Sequence, residues 1–128
     1  MTRTNRLAVV TGGIGGIGSA ICVRLAEDGH KVVATYHPSE EEKAQEWLAE
    51  IKNRGLDIGI AGGDVSSAED AAAMMAKIQE DFGNVDILVN CAGITRDAMM
   101  KRMDVAKWDA VISTNLSSAF YVTKPVWD

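Results

Sequence analysis

The chain has 128 residues, a formal net charge of −5 and 47% hydrophobic residues, which describes one ordinary globular domain. The acidic balance argues against a nucleic-acid partner, because proteins that bind phosphate backbones carry a basic surface. The first apolar run, Leu7 to Val10, is too short for a signal peptide or a membrane span, so we expect a cytoplasmic protein without a membrane partner. Cys22 and Cys91 lack metal-ligand spacing, and we expect free thiols and no metal site.

The beginning of the chain predicts a strand, a glycine turn and a helix. The segment Leu7 to Val10 is a continuous apolar run, which is typical of a strand buried on both faces of a parallel sheet. After the glycines, Ile17, Ile21 and Leu25 recur every four residues up to Gly29, which predicts a helix with one apolar stripe and a glycine stop. A strand–helix unit therefore opens the chain.

The same alternation continues through the middle of the chain. The segment Lys31 to Tyr36 is a second β-rich run, and Ser39 with Glu42 has the spacing of a capping box that opens a second helix. The segment Leu56 to Ala61 predicts a third strand, which a third helix follows. The residues expected on the buried faces of these two helices are Ala44, Trp47, Leu48, Ile51, Ala71, Met74, Met75, Ile78 and Phe82.

A fourth strand and a last helix complete the pattern. Either Ser66 or Ser67 is expected to cap the third helix, and the segment Val85 to Asn90 predicts the fourth strand. Asp104 is expected to cap the last helix. The residues predicted to face inward from that helix are Trp108, Ile112, Leu116 and Ala119.

Strands that alternate with helices predict an α/β fold in which residues 1–128 form one domain. The connections favour a Rossmann-like, doubly wound parallel sheet with strand order 3-2-1-4. In such a sheet the ligand crevice lies at the carboxyl ends of strands one and four, where the order reverses. Two glycine-bearing loops fall at that place.

Three glycines between the first strand and the first helix are the first candidate site. Gly12 allows a tight turn, Gly16 lets the backbone approach a pyrophosphate, and Gly18 lets the helix pack closely on the strand. The helix N-terminus then faces the anion. The alternative is a glycine-rich structural turn without a ligand. The position of the glycines, after a strand and before a helix, favours phosphate binding.

The end of the second strand bears on the choice of cofactor. In the ordinary dinucleotide fold an acid at this place holds the adenosine ribose hydroxyls. Here the segment reads Thr35-Tyr36-His37-Pro38, without a carboxylate that would repel a 2′-phosphate. We therefore predict NADP rather than NAD, although His37 is the only cation in the stretch and histidine is mostly neutral at pH 7. The alternative for His37 is a plain loop residue.

Three further positions carry polar or small residues at the predicted crevice. Asp64, followed by Val65, is placed to accept from an adenine amino group, or else it is a helix-entry residue. The segment Asn90-Cys91-Ala92-Gly93 allows the backbone to lie against a nucleotide, or else it is a turn alone. Asn115 falls on the apolar face of the last helix, and a buried amide needs partners; it serves the site or ties the helix to a neighbouring backbone.

These motifs together resemble those of the short-chain dehydrogenases/reductases. The motifs are the segment from Thr11 to Gly18, Asp64-Val65, the segment from Asn90 to Gly93, and Asn115. Within the family, these segments and their neighbours are most similar to acetoacetyl-CoA reductases, followed by 3-oxoacyl-acyl-carrier-protein reductases. The resemblance covers the whole chain but only the first half of the family's usual length, so we expect a chain truncated after the fourth strand and its following helix.

The resemblance implies an NADPH-dependent reduction of a 3-oxoacyl thioester to its 3-hydroxy form. It implies that Asn115 organises a proton-relay water. The implied cofactor-binding residues are Gly12, Gly13, Gly15, Gly16, Ile17, Gly18, Tyr36, His37, Asp64, Val65, Asn90, Cys91, Ala92 and Gly93. Two of them depart from the family pattern, because Gly15 stands where many carrier-protein reductases have arginine and Cys91 replaces a common second asparagine.

The fourth strand would leave an apolar edge without its usual fifth neighbour, so we expect a homo-oligomer, formed by pairing of this edge or by exchange of the last helix between chains. The alternative is a monomer in which the last helix folds back over the edge.

The family's catalytic serine and its Tyr-x-x-x-Lys pair have no counterpart in these residues. Tyr121 and Lys124 are three positions apart rather than four and lie in the helix that carries Asn115. We therefore expect the cofactor-binding portion of a reductase that is inactive alone. The alternatives are a free-standing, non-catalytic dinucleotide-binding module and an assembly unit.

Overall fold

The computed structural model describes residues 6–127, in which four strands and five α-helices follow one another along the chain. The strands are β1 (Leu7–Val10), β2 (Lys31–Tyr36), β3 (Ile58–Gly62) and β4 (Ile87–Val89). The α-helices are α1 (Gly16–Glu27), α2 (Glu41–Asn53), α3 (Ala68–Phe82), α4 (Val105–Ile112) and α5 (Ser118–Thr123). A π-helical turn (Ser113–Ser117) joins α4 to α5, and short 3-10 turns cover Pro38–Glu40, Met100–Arg102 and Lys124–Val126.

The four strands form one parallel sheet in the order β3-β2-β1-β4, which confirms the predicted α/β fold and strand order. Val10 of β1 lies opposite Ala34 of β2 on one side and Val89 of β4 on the other. The chain thus leaves β1 in one direction and returns to its other side with β4. The loops that follow β1 and β4 meet at the carboxyl edge, where ligands bind in sheets of this topology.

Two apolar layers cover the two faces of the sheet, because alternate strand residues point to opposite sides. Val9 and Val33, which are in register, belong to the layer that faces α3 and α5. That layer also holds Leu7, Val65, Ala71, Met74, Met75, Ile78 and Val122. The layer that faces α1 and α2 holds Val10, Ile14, Cys22, Val32, Ala34, Tyr36, Ala44, Ile51 and Ile58. Met74 and Met75 are core residues, and the central strands β1 and β2 are covered on both faces.

The strand boundaries match the sequence at the centre of the sheet and differ toward its edges. The first two strands have the predicted bounds. The third begins two residues later than predicted, because Gly55 ends α2 and the N–H of Leu56 still bonds to the carbonyl oxygen of Ile51 at 3.3 Å. The fourth is only three residues long, since it pairs with β1 alone.

Two of the predicted helix caps are confirmed and one is wrong. The side chains of Ser67 and Asp104 accept backbone N–H groups at the starts of α3 and α4. The capping box of Ser39 and Glu42 does not form. Instead the imidazole of His37 accepts the N–H of Ser39 at 3.1 Å and opens a 3-10 turn, after which α2 begins without a side-chain cap.

The last helical segment turns a different face to the core than predicted. Trp108 and Leu116 were expected to point inward, but they are 60% and 66% exposed. Ser118 and Val122 are the buried residues here. The π turn changes the face that α5 turns to the core, because its wider hydrogen-bond spacing rotates the residues that follow it around the helix axis. Trp108 precedes this turn, so the turn does not explain its exposure. Within residues 6–127, no helix is long and apolar enough to cross a membrane.

Candidate functional site

The turn after β1 is packed so closely that two of its positions require glycine. Gly12 has φ +62°, and a Cβ atom there would lie 2.9 Å from the Cα of Ala92. A Cβ atom on Gly13 would lie 2.6 Å from that of Ala34. The turn therefore sits between β2 and the loop after β4 with no room for a side chain at either position.

The start of α1 combines one closed position with one open position. A Cβ atom on Gly18 would lie 2.9 Å from the carbonyl carbon of Gly12, whereas a Cβ atom on Gly16 would meet no atom within 4 Å. Gly15 is the N-cap and offers no side chain to the first N–H groups of the helix. Helix N-termini without a side-chain cap attract anions in general. The close packing predicted for Gly18 agrees with this geometry, and the pyrophosphate contact predicted for Gly16 stays a prediction.

Thr11 ties this turn to the loop after β4, a role that the sequence analysis missed. Its side chain is buried, and its Oγ1 accepts the N–H groups of Cys91 at 3.0 Å and Ala92 at 3.1 Å. The N–H of Thr11 donates to the carbonyl oxygen of Val89 at 3.0 Å. The available signal was its residue type: a hydroxyl that directly follows a wholly buried strand needs polar partners.

A cavity of about 790 Å³ opens at the carboxyl ends of the strands. Seven predicted site residues line it, namely Gly12, Tyr36, His37, Asp64, Val65, Ala92 and Gly93. The opposite wall comes from the loop after β4 and from α4, through Ile94, Arg96, Ala106, Asp109 and Ala110. The sequence offered no signal for this second wall, because helical periodicity does not tell which surface an exposed helix face covers.

The remaining predicted residues lie outside that cavity. Gly16 and Ile17 line a separate shallow apolar depression along α1, where Ile17 is exposed rather than buried as the apolar stripe predicted. Asn90 turns away from the cavity, and its Nδ2 donates to Oγ1 of Thr123 at 3.3 Å. Cys91 packs against the apolar layer beneath α1. The structure therefore brings the two glycine-bearing loops together at one edge of the sheet, whereas Gly16, Ile17, Asn90 and Cys91 lie around that edge.

A hydrogen-bonded pair of a tyrosine and a carboxylate lies at the end of β2. Tyr36 is buried and its hydroxyl donates to the carboxylate of Glu41. This hydrogen bond, together with burial, raises the pKa of Tyr36 to about 12. The hydrogen bonds that Glu41 accepts from Tyr36 and Gln45 lower the pKa of Glu41. Glu40 lines the cavity and lies 3.6 Å from Nζ of Lys43. The segment 35–38 holds no carboxylate, as the sequence indicated, but the following helix brings two acids to its side.

Asp64 lies on the same rim and is held by its neighbours. Its Oδ1 accepts the hydroxyl of Ser66 at 2.6 Å and the N–H of Ser66 at 3.0 Å. These bonds, and the nearby imidazole of His37, lower the pKa of Asp64. Its other oxygen, Oδ2, lies 4.0 Å from Nε2 of His37. Asp64 is thus an ionised acceptor fixed at the cavity edge.

Asn115 is exposed, so the prediction of a buried amide on the apolar face is wrong. Its Oδ1 accepts the N–H of Ile94 at 2.7 Å, and its Nδ2 donates to the carbonyl oxygen of Ile94 at 2.9 Å. The alternative interpretation, a tie between the helix and a neighbouring backbone, describes this contact. The π turn that contains Asn115 directs it toward the loop after β4, next to Gly93.

A glycine turn at the head of α1, a cavity at the reversal point of a parallel sheet and a fixed carboxylate on its rim define a dinucleotide-binding α/β protein. The family model described as short chain dehydrogenase matches residues 6–128. The chain belongs to this family, which confirms the resemblance that its motifs carry.

Three similar proteins show how far the likeness extends. An acetoacetyl-CoA reductase from Allochromatium vinosum is 56% identical over 123 residues, which are 96% of this chain and 50% of that protein. A 3-oxoacyl-acyl-carrier-protein reductase from Staphylococcus aureus is 42% identical over 92% of this chain and 48% of that protein. The structure of a gluconate 5-dehydrogenase from Burkholderia cenocepacia, in complex with NADP and tartrate, matches with TM-score 0.83 and 31% identity, over 98% of this chain and 49% of that one. The chain spans about half the length of the curated relatives it matches.

Proposed function

We propose that these residues form the NADPH-binding portion of a 3-oxoacyl-thioester reductase of the acetoacetyl-CoA type. The observation that carries the proposal is the 56% identity to an acetoacetyl-CoA reductase across a segment that contains the glycine turn and the cavity. Both features belong to the cofactor-binding side of the fold, which is why the proposal concerns cofactor binding first.

The glycine turn and the cavity would bind different parts of the cofactor. The open N-terminus of α1 at Gly16 would take the pyrophosphate, and Oδ2 of Asp64 would accept the adenine amino group. Tyr36 and His37 would border the adenosine ribose, and Gly93 and Asn115 would border the nicotinamide side. When bound, the reduced nicotinamide supplies the hydride that a ketone needs.

The charges at the end of β2 support a preference for the phosphorylated cofactor. No acid stands in the segment 35–38, where it would hold an unphosphorylated ribose. Of the two acids nearby, Glu41 at the start of α2 accepts the hydroxyl of Tyr36, and Glu40 at the end of the preceding 3-10 turn lies beside Lys43. Because both carboxylates have partners, they would repel a 2′-phosphate less than two free carboxylates would.

Asn115 would hold the water that relays protons to the reacting carbonyl. Its two bonds to Ile94 leave one N–H and one carbonyl lone pair for a solvent molecule. Proton donation itself needs a further group, because Tyr36 and Tyr121 are followed four residues later by Glu40 and Pro125 rather than by lysine. The 128 residues alone would therefore bind the cofactor without rapid turnover.

We also propose that the protein is a cytoplasmic homo-oligomer. Cys22 and Cys91 are free thiols, which suits a reducing compartment. The face that carries Leu116 and Phe120 leaves large apolar side chains uncovered, and contact with another copy of the chain would remove them from water.

A titration of the 128-residue chain with NADPH and with NADH, followed by nicotinamide fluorescence, tests the proposal. We expect NADPH to bind about tenfold tighter, a difference of about 1.4 kcal/mol. Tenfold tighter binding of NADH would overturn the cofactor assignment, and binding of neither would overturn the proposal.

The same preparation tests turnover with acetoacetyl-CoA. We expect NADPH oxidation at background rate, since loss of a positioned acid alone removes a factor of about 10² to 10⁴. Turnover that Asn115→Ala abolishes would show that these residues carry a complete catalytic site.

A further inference from the structure

The first turn of α1 carries the proposed phosphate site, yet little of it is packed against the rest of the fold. Ile17 is 74% exposed, and a Cβ atom on Gly16 would meet no atom within 4 Å. The N-cap, Gly15, has no side chain that could close the turn. The N–H of Gly13 donates to the carbonyl oxygen of Thr35 at 3.1 Å and ties the preceding loop to β2, but this bond lies before the helix. The helical turn itself therefore needs another anchor.

A tryptophan of the neighbouring helix supplies a side-chain anchor. Nε1–H of Trp47 in α2 donates to Oγ of Ser19 in α1 at 2.9 Å. Ser19 directly follows the buried Gly18, and its own N–H closes the first turn by donating to the carbonyl oxygen of Gly15 at 2.8 Å. An indole N–H is a donor only, so the hydroxyl of Ser19 is the acceptor in this pair. The hydrogen bond therefore joins α2 to the turn that presents the N-terminal N–H groups of α1.

The start of α2 is fixed to a different part of the site. The hydroxyl of Tyr36, at the end of β2, donates to the carboxylate of Glu41, the first residue of α2. Trp47 follows in the same helix, about 9 Å further along its axis at 1.5 Å per residue. The helix thus contacts the end of β2 with one residue and the first turn of α1 with another. These two contacts set the distance between the places proposed for adenosine and for pyrophosphate.

We infer that Trp47 is a positioning residue for cofactor binding, which holds the first turn of α1 through Ser19 at a fixed place relative to the adenosine end. This inference rests on the proposed function. Trp47 lies outside the set of described residues that line the cavity, so its effect passes through Ser19. A dinucleotide spans both places, and its affinity depends on their relative position as well as on the contacts at each. A ligand that fills only the adenosine end lacks this dependence.

Three variants separate the hydrogen bond from packing. Trp47→Phe removes the ring N–H and keeps an aromatic ring against the apolar layer that Trp47 contacts. Ser19→Ala removes the acceptor, whereas Ser19→Thr keeps it. We expect Trp47→Phe and Ser19→Ala each to weaken NADPH binding about fivefold, the effect of one hydrogen bond of ordinary strength, and Ser19→Thr to keep the affinity. The double variant should lose no more than either single variant, because both remove the same contact.

Adenosine 2′-monophosphate is the matched probe, since it fills the adenosine end without a pyrophosphate. Its affinity, measured by displacement of NADPH, should be the same in the unchanged chain and in all three variants. A merely structural role of Trp47 would lower the melting temperature and leave both affinities unchanged, or weaken both together. The control is Trp127→Phe, the same change at a 77% exposed tryptophan that follows α5, and it should alter neither affinity.

Amide hydrogen exchange gives a second readout that needs no cofactor. The N–H of Ser19 closes the first turn, so it should exchange about fivefold faster in Trp47→Phe and at the unchanged rate in Trp127→Phe. An unchanged exchange rate in Trp47→Phe would show that the indole does not hold the turn, and would overturn the inference.

The binding results also decide between the inference and the proposed function. Unchanged NADPH affinity in Trp47→Phe, additive losses in the double variant, or equal losses for both probes overturns the inference and leaves the proposed function standing. So does a failure of adenosine 2′-monophosphate to displace NADPH from the unchanged chain, because the adenosine end would then contribute no separate binding. If the unchanged chain does not bind NADPH, the proposed function falls and the inference falls with it.

Discussion

The two parts of the sheet on either side of β1 differ in strand pairing and in burial. On one side, β2 is paired along its length with β1 and β3, and five of its six residues are buried. On the other side, β4 has three half-buried residues that pair with β1 alone. Five of the eight large apolar side chains that residues 6–127 expose follow Asp104, in the helical segment that packs near β4.

The residues proposed for cofactor binding and those proposed for self-association therefore lie in different parts of the molecule. The well-covered side carries the glycine turn, His37 and Asp64, which are the groups proposed to contact the nucleotide. The open side carries the apolar surface of α4 and α5, which is costly to leave in water. We therefore expect a partner contact on the side of α4 and α5, away from the proposed adenosine end. Since α4 also lines the cavity, variants of α5 test association with the least effect on the site.

The largest expected effect is self-association through the open side. We expect a dimer with a Kd in the micromolar range, about 8 kcal/mol of association free energy, measured by light scattering over a concentration series. Phe120→Asp should shift the chain to monomer, because it places a charge on a 66% exposed apolar position of α5.

The matched control is Met100→Asp, which changes an 88% exposed apolar residue outside α4 and α5. It should leave association unchanged. A chain that stays monomeric at every concentration contradicts the comparison, and a stronger effect of Met100→Asp would move the interface to the loop after β4.

The glycine turn should respond in two opposite ways to the same substitution. Gly13→Val should destabilise the fold by about 3 kcal/mol in urea unfolding, because the new Cβ atom meets Ala34 at 2.6 Å in a packed core. Gly16→Val should keep the fold, since its Cβ atom meets nothing within 4 Å, and yet lose NADPH binding by filling the space before the helix. A folded Gly16→Val chain with unchanged affinity would remove the phosphate site from the turn.

Thr11 joins the two halves, so its hydroxyl is expected to matter for both. Thr11→Val leaves the N–H groups of Cys91 and Ala92 without their acceptor and should cost about 2 kcal/mol in the free energy of unfolding. Thr11→Ser keeps the hydroxyl and should cost only about 1 kcal/mol, the loss of one methyl group. Equal losses in the two variants would show that packing, rather than hydrogen bonding, holds the loop.

The smallest effect is a pH dependence of the free energy of unfolding that arises at Tyr36, on the well-covered side. Tyr36 has its pKa raised from 10.0 to about 12, so the fold favours its neutral form; this contribution is complete below pH 10 and is lost as the pH rises through about 12. In Glu41→Gln the titration should move back toward 10. Phenolate absorbance follows it, with Tyr36→Phe and Tyr121→Phe to assign the signal. A late titration that persists in Tyr36→Phe would contradict the assignment.

The sequence by itself determined the centre of the fold and the glycine turn. Leu7–Val10 and Lys31–Tyr36 have the predicted bounds because a strand buried on both faces is a continuous apolar run, which is a local signal. Asp104 was predicted as a cap for the same reason, since a capping side chain bonds within its own turn; for α3 the sequence left Ser66 and Ser67 open, and the structure has Ser67. The strand order followed from the alternation of elements.

Only the tertiary structure decided which residues from separate strands, helices and loops contact one another. Asn115 and Ile94 are 21 residues apart, and their contact depends on the π turn and on the path of the loop after β4. The imidazole of His37 displaced the expected capping box, and α4 supplied a cavity wall that its own periodicity did not indicate. Apolar spacing records which side chains avoid water, whereas their partners depend on how separate elements pack. For this reason Trp108 and Leu116, predicted to be inside, lie exposed on the open side.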